Sequence, residues 1–445
     1  MKFYTQNKVG ECVRIAGRPC RTFSASVALV SFLFFPQIAI AEGGAPASVV
    51  KSTGSTLDRN PLDGPDSADS LLSANREEKA DLLDRNFQEN WEAWKAGIKE
   101  RTGFSFGADY TVVGLAATAS LGDDTAASAI ARVYGSWALF NRGAKNTGSI
   151  EFKGENRHSF TDVPPAGLGL VAGYVGVTEP VFSDQGFRAT TLYWKQRFLD
   201  DKAVARVGLI DIKEYFDVYA LASPWTGFHN LAFSTGSNTM IKLPDGAFGA
   251  MVGGYFSDNI YAAASIADAS ADPTSPFQSV QTFFGDFDTF KTIEIGYTEG
   301  GKRLFLDNAH IAFWQIDESK KTGATGGWGV NGSVSSLVNE NLLVFLRGGW
   351  AHEGGGLYEA SVSTGFGYMT TPGGNLLGVG VNWGRPNSDT IPSDLDDQWT
   401  GEVFYRVQLV ENVQVTPSTQ LLFNPALNPN EDLIAVFGMR GRVEF

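Results

Sequence analysis

The stretch Asp432 to Phe445, DLIAVFGMRGRVEF, decides the fold. Taken by twos, Phe445, Val443, Gly441, Met439, Phe437 and Ala435 share one face, and Glu444, Arg442, Arg440, Gly438 and Val436 share the other. A strand presents alternate residues on opposite sides, so this one is apolar on one face and mostly charged or small on the other. A soluble sandwich would turn the apolar face into a core. A transmembrane barrel turns it to lipid and lines its lumen with the charged face. The rest of the chain has to choose.

The same period runs from Gly103 onward. Phe104, Phe106, Ala108, Tyr110 and Val112 alternate with Ser105, Gly107, Asp109 and Thr111; Ala131, Val133 and Trp137 alternate with Arg132, Tyr134 and Ser136. Ile150 and Phe152 alternate with Glu151, Lys153 and Glu155, and Ala205 and Val207 with Val204, Arg206 and Gly208. Val403, Tyr405, Val407 and Leu409 alternate with Glu402, Phe404, Arg406 and Gln408. Segments of about ten residues with this pattern suit a tilted membrane-spanning strand. Strands are expected at 103–116, 126–140, 146–157, 186–199, 202–213, 246–256, 259–268, 287–298, 308–317, 326–337, 341–351, 357–368, 375–384, 397–409, 412–424 and 432–445. That makes about sixteen strands, an even number.

The links between them sort by length. Those after even-numbered strands are mostly short, as at 141–145, 200–201, 257–258, 339–340 and 410–411. Those after odd-numbered strands are mostly long, as at 158–185, 214–245, 269–286 and 385–396. The link at 299–307 and the one at His352–Gly356 break the rule. Outer-membrane barrels show this asymmetry, with tight periplasmic turns and long outer loops. The expected fold is therefore all-β: a transmembrane antiparallel β-barrel over 101–445.

The amino terminus reads as an address. Lys2, Lys8, Arg14, Arg18 and Arg21 precede the apolar run Val27 to Ile40, and Ala39-Ile40-Ala41 offers a small-residue cleavage site. A signal peptide over 1–41 and a mature start at Glu42 follow, with an outer-membrane destination in a Gram-negative bacterium. The run is too short for a membrane helix and Pro36 interrupts it. Cys12 and Cys20 lie in the removed segment, so the mature chain is expected to hold no disulfide, thiol nucleophile or Cys-bound metal. Removing five bases and one acid (Glu11) from a chain of charge −14 leaves −18, which speaks against nucleic acid as a partner. Gly (51 of 445) and aromatics (12%) are abundant while charged residues are 19%, a balance that suits many turns and aromatic strands better than a helical enzyme.

Between address and barrel lie two further segments. Residues 42–70 are rich in Gly, Ala, Ser, Pro and Asp and read as a disordered linker. In 71–100, Leu83, Phe87, Trp91, Trp94 and Ile98 recur at helical spacing, giving an amphipathic, periplasmic helical segment. Such a helix either enters or docks under the barrel mouth, self-associates, or simply covers an apolar patch.

The third long outer loop, Glu214 to Asp245, reads EYFDVYALASPWTGFHNLAFSTGSNTMIKLPD. That much apolar surface should not sit in water, and folding into the barrel to narrow it buries the loop. Gly208-Leu209-Ile210-Asp211, Tyr215-Phe216-Asp217, Ser223-Pro224, Phe228 and Asn230 resemble a stretch of the carbohydrate-selective porin (OprB) family. So do Glu402-Val403-Phe404-Tyr405-Arg406, Val415-Thr416-Pro417, Gln420, Asn424-Pro425, Gly438-Met439-Arg440 and Phe445. The resemblance spans about residues 85 to 445 and implies a sixteen-stranded barrel passing glucose and other small sugars passively. Terminal Phe445 resembles the signal by which the barrel assembly machinery recognises a client, which adds that machinery to the expected partners. Outer-membrane lipid and lipopolysaccharide are others, and self-association into a homo-oligomer is compatible with the pattern.

Candidate pore-lining residues are Arg132, Glu151, Lys153, Arg206, Arg406, Arg440 and Arg442, all on the polar face of strands. Together they suggest a partly electropositive lumen offering donors to sugar hydroxyls; alternatively, acids such as Asp109, Glu151, Glu155 and Glu402 neutralise them. Tyr215, Phe216, Trp225 and Phe228 are candidate sugar contacts in the constriction loop, or else they pin the loop to the wall. No cofactor, metal or catalytic residue is expected: His158, His229, His310 and His352 show no ligand spacing and no nucleophile elbow or P-loop occurs. A general or anion-preferring porin is the nearest alternative, and an outer-membrane hydrolase the alternative from another class.

Overall fold

The structure, a computed structural model, describes residues 62–74, 89–240, 243–299, 305–319, 325–371, 374–391 and 394–445. The expected signal peptide, and Leu83 and Phe87 of the expected helix, lie outside them. Sixteen strands form one closed antiparallel barrel in which each pairs with its sequence neighbours and β1 pairs with β16. They are β1 Phe104–Ala117, β2 Thr125–Phe140, β3 Gly148–Ser159, β4 Gly186–Phe198, β5 Ala203–Ile210, β6 Ala247–Tyr255, β7 Ile260–Asp268 and β8 Thr289–Thr298. The second half comprises β9 Asn308–Ile316, β10 Gly327–Asn339, β11 Leu342–Glu353, β12 Tyr358–Met369, β13 Leu376–Pro386, β14 Gln398–Val410, β15 Val413–Phe423 and β16 Leu433–Glu444. Closure leaves no strand edge facing lipid, where unpaired backbone groups would be costly. At the seam Asp109 stands opposite Glu444 and Val113 opposite Arg440.

The alternation sorts residues as the terminal strand requires. Phe437 and Met439 are 54% and 52% exposed on the outside, whereas Arg440 and Arg442 are 1% and 4% exposed on the inside. An outer belt that includes Val133, Val207, Val252, Ile293, Phe313 and Leu346 continues this apolar surface. At the short-turn end, Phe104 stacks on Phe106 and Phe152 and meets the edge of Trp137, the aromatic girdle that a membrane interface favours.

Among the described residues, four α-helices accompany the barrel: α1 Ala68–Ala74, α2 Glu89–Thr102, α3 Pro165–Ala172 and α4 Gln278–Gly285. Helix α2 runs straight into β1, and its Trp91 and Trp94 stack on each other and meet Phe106 edge-on, 6.0 and 5.9 Å between ring centres. This helix therefore covers an apolar patch on the outside of the barrel. Residues 62–70 depart from the linker expected over 42–70. Leu62 and Asp63 are buried inside the barrel, and α1 seats Leu71 and Leu72 on Tyr134. The few apolar side chains there suggested a linker, but lumenal bases hold its aspartates in place. Strand β5 also stops earlier than expected, at Ile210. Asp211 then caps a 3-10 turn over Ile212–Glu214, accepting from the Lys213 amide at 3.2 Å.

Candidate functional site: the constriction

The β5–β6 connection, residues 211–246, folds into the lumen, and nearly all of its described residues are buried. Its apolar side chains fill three clusters against the wall. Tyr215 and Phe216 join Tyr193, Met251, Tyr261 and Phe290. Trp225 joins Val113, Ile130 and Phe182 from the seam side. Phe228 and Phe233 pack on Phe345 and Phe404, with Phe228 4.7 Å from Phe233 and 5.0 Å from Phe404 between ring centres.

Polar tethers fix the backbone between these clusters. Arg440 donates to the Pro224 and Gly227 carbonyls at 2.7 and 2.9 Å, and Arg406 donates to the Thr226 carbonyl at 3.1 Å. Glu402 accepts from the His229 and Asn230 amides at 2.7 and 2.8 Å. On the opposite wall Asp217 is the anchor. Its carboxylate accepts from Arg347 at 2.6 Å and from the Gly236 amide at 2.7 Å, and lies 3.0 Å from His310, while its own amide donates to Glu294 at 2.7 Å. Burial alone would push Asp217 up, but Arg347 and His310 overcome it and hold the carboxyl below its usual range. Gly236 turns the loop here at φ +79°, a conformation that suits glycine.

Each candidate pore-lining residue faces inward, and each is engaged. Arg132 meets Asp109 at 2.6 Å, and Arg442 meets the same carboxylate at 3.0 Å and Glu444 at 2.8 Å. Lys153 meets Glu214 at 2.7 Å; Arg206 pairs with Asp63. Glu151 accepts from Ser136 and Ser149, both at 2.9 Å. Arg406 and Arg440 bind loop carbonyls as above. Two of the neutralising acids, Asp63 and Glu214, come from the inserted segments and not from the wall. The four candidate sugar-contact aromatics are likewise buried against wall groups: the guanidinium of Arg206 sits 5.2 Å from the Tyr215 ring centre, and that of Arg132 3.8 Å from Trp225.

A row of charged side chains runs along the β3–β5 side at the long-loop end, reaching water at Lys213 and Asp245 while Arg188, Arg157 and Glu155 are buried. Lys213, its side chain 34% exposed, approaches Asp245 at 3.2 Å; Asp245 accepts from Arg188 at 2.9 Å; Arg188 and Arg157 both reach Glu155, at 3.4 and 2.7 Å. The row continues through Asp211, 3.7 Å from Lys153. Burial pushes the Asp211 carboxyl up to about 6 against the pull of Lys213 and Lys153. For Asp245, Lys213, Arg188 and Arg157 outweigh burial and hold the carboxyl down. This row presents alternating donors and acceptors, the chemistry a sugar's hydroxyls need. Arg157 shares the parity of Lys153 and was legible in β3. Arg188 was not: the β3–β4 register shifts at Lys153/Gly154, and Thr190 and Thr191 are both buried.

Other loops close over the same end. Glu179, in the β3–β4 connection, meets the His229 ring nitrogen Nδ1, and both are buried. Burial pushes the Glu179 carboxyl well up and the His229 imidazole well down, disfavouring the charged form of each. Tyr174 bonds Thr400 at 2.8 Å and Tyr358 at 3.0 Å, tying that connection to β14 and β12.

A family model described as carbohydrate-selective porin, OprB family, matches residues 91–336 and 306–445. The high-pH structure of Pseudomonas putida OprB is similar with TM-score 0.64 at 13% identity, covering 83% of this chain and 99% of that one. Its low-pH structure gives TM-score 0.48 at 12% identity, covering 83% of this chain and 100% of that one. A variant of the Rh. blastica porin gives TM-score 0.45 at 14% identity, covering 77% of this chain and 100% of that one. No curated protein matches the chain.

Proposed function

The chain belongs to the carbohydrate-selective porin, OprB family, and on that premise we propose that it passes small neutral sugars such as glucose down their gradient. The observation that carries this reading is the row Lys213, Asp245, Arg188, Arg157 and Glu155, which meets water at Lys213 and Asp245 and runs inward as buried ion pairs beside the inserted loop. A sugar entering there exchanges its hydration for charge-assisted hydrogen bonds of both polarities, while a narrow passage rejects longer oligosaccharides. The paired state of Arg132, Lys153, Arg206 and Arg442 argues against strong anion preference, because each base already faces a carboxylate.

As a porin-family barrel the chain is an outer-membrane protein. Export by the amino-terminal signal peptide and insertion through the β16 strand are part of the same proposal, as are lipopolysaccharide around the barrel and assembly into homo-oligomers. In this proposal Tyr215, Phe216, Trp225 and Phe228 shape the constriction from behind, and the sugar meets the charged row. Liposome swelling decides the matter. Glucose should enter faster than an uncharged non-sugar of equal size and much faster than a trisaccharide; equal rates for sugar and non-sugar would make this a general pore.

A further inference from the structure

The family match begins at residue 91, yet the barrel interior also holds residues 62–74, which lie before it. That segment is bound as a ligand would be. Asp63 meets Lys195 at 2.7 Å and also Arg206; Asp69 meets Lys195 at 2.8 Å and Arg197 at 3.1 Å. Asp66 accepts from Ser223 of the constriction loop at 2.7 Å, and the Gly64 amide donates to the Glu214 carbonyl at 2.5 Å. Leu62 is buried among Tyr193, Val204, Tyr215 and Met251. A Cβ on Gly64 would stand 2.7 Å from the Glu214 carbonyl and 2.8 Å from Val218, so only glycine fits this approach.

We propose that residues 62–74 are a tethered pore blocker, whose aspartates occupy a basic site on the lumenal wall formed by Lys195, Arg197 and Arg206. The site lies toward the short-turn end of β4 and β5, so the blocker enters from the side opposite the charged row at the long loops. Three bases gathered within reach of two carboxylates form a site for an anionic group. With the blocker out, it would take a solute carboxylate, such as that of a sugar acid. Removing the blocker thus does two things at once: it widens the passage and uncovers positive charge. This goes beyond the proposed sugar pore and uses ion current only as its reporter.

The test uses the full chain in planar bilayers. Asp63→Asn/Asp69→Asn weakens the ion pairs, and Gly64→Val expels the segment sterically while leaving every charge in place. Both should raise single-channel conductance roughly twofold and shift the reversal potential toward anion preference, as fixed lumenal charge dictates. Glucuronate should then block the variants and leave the unaltered protein little affected. Asp69→Asn alone, at the less buried of the two ion-paired aspartates, should shift both readings the same way by less, and it decides the matter if the double variant does not assemble. Folded variants with unchanged conductance and selectivity would overturn the blocker while leaving the sugar pore standing. A protein whose current glucose never blocks would instead count against the sugar pore.

Discussion

The guanidinium of Arg132 lies 3.8 Å from the centre of the Trp225 ring, while the same guanidinium holds Asp109. A cation over an indole face, excluded from water, stabilises by about 2 kcal/mol, and Trp225 is only 4% exposed. Trp225→Ala is therefore expected to cost roughly 3 kcal/mol of barrel stability, the usual order for a buried large-to-small change. Block of ion current by glucose should stay unchanged. Thermal unfolding in detergent and sugar titration of the current measure the two effects separately, and lost glucose block would make the ring a sugar platform.

The tether at Asp217 predicts a larger defect. Removing its charge leaves Arg347 buried without its carboxylate, which typically costs about 3 kcal/mol or more. Asp217→Ala should loosen the loop, increase current noise and lower the unfolding temperature. Arg347→Met in the same background should recover part of the loss, since both members of the pair are then absent. A double variant no more stable than Asp217→Ala would mean the two do not act as a pair.

On the charged row, Arg188 bridges Asp245 and Glu155. If sugars bind there, Arg188→Gln should weaken glucose block about tenfold, the loss of one charge-assisted hydrogen bond. Arg132→Gln, buried behind the loop, should change it far less. Equal effects from the two would displace the sugar from the row.

The Glu179–His229 pair carries a pH signature. Burial raises the folded Glu179 pKa well above the ordinary 4.5, so the folded state keeps a proton that the unfolded state releases above that value. Its contribution to stability is full below pH 4.5 and falls as pH rises toward the folded pKa. Glu179→Gln replaces the protonated acid by a neutral amide. The variant should therefore gain stability relative to the unaltered protein at pH 7.5 and show little or no gain at pH 4. Urea unfolding at the two pH values reads this directly, and a larger gain at the acid end would reverse the assignment.

Sixteen strands were legible because lipid outside and polar lumen inside impose a strict period of two. Met439 and Arg440, or Val133 and Arg132, announce their sides without knowledge of any partner. Burial of the loop 214–245 was legible too, from its density of aromatics. What those aromatics pack against was not, because a ring destined for a sugar and a ring destined for a wall have the same local sequence. Strand β4 hides Arg188 and Lys195 because an irregularity puts Thr190 and Thr191 both inside and flips the parity between them. The lumenal placement of segment 62–74 was illegible for a different reason. Its stability comes from Lys195 and Arg206, more than a hundred residues away, and composition sees only an acidic stretch.

Arg440, Arg406, Glu402 and Ser363 all grip the constriction loop by its carbonyls and amides, at Pro224, Thr226, Gly227, His229, Asn230 and Ala232. A socket that recognises main-chain atoms is indifferent to much of what the loop carries on its side chains. The barrel can thus accept a rewritten loop without rewriting its wall. Residues that the socket does not grip, Lys213 and Asp245 among them, are where new solute preferences can be grafted at small cost to folding.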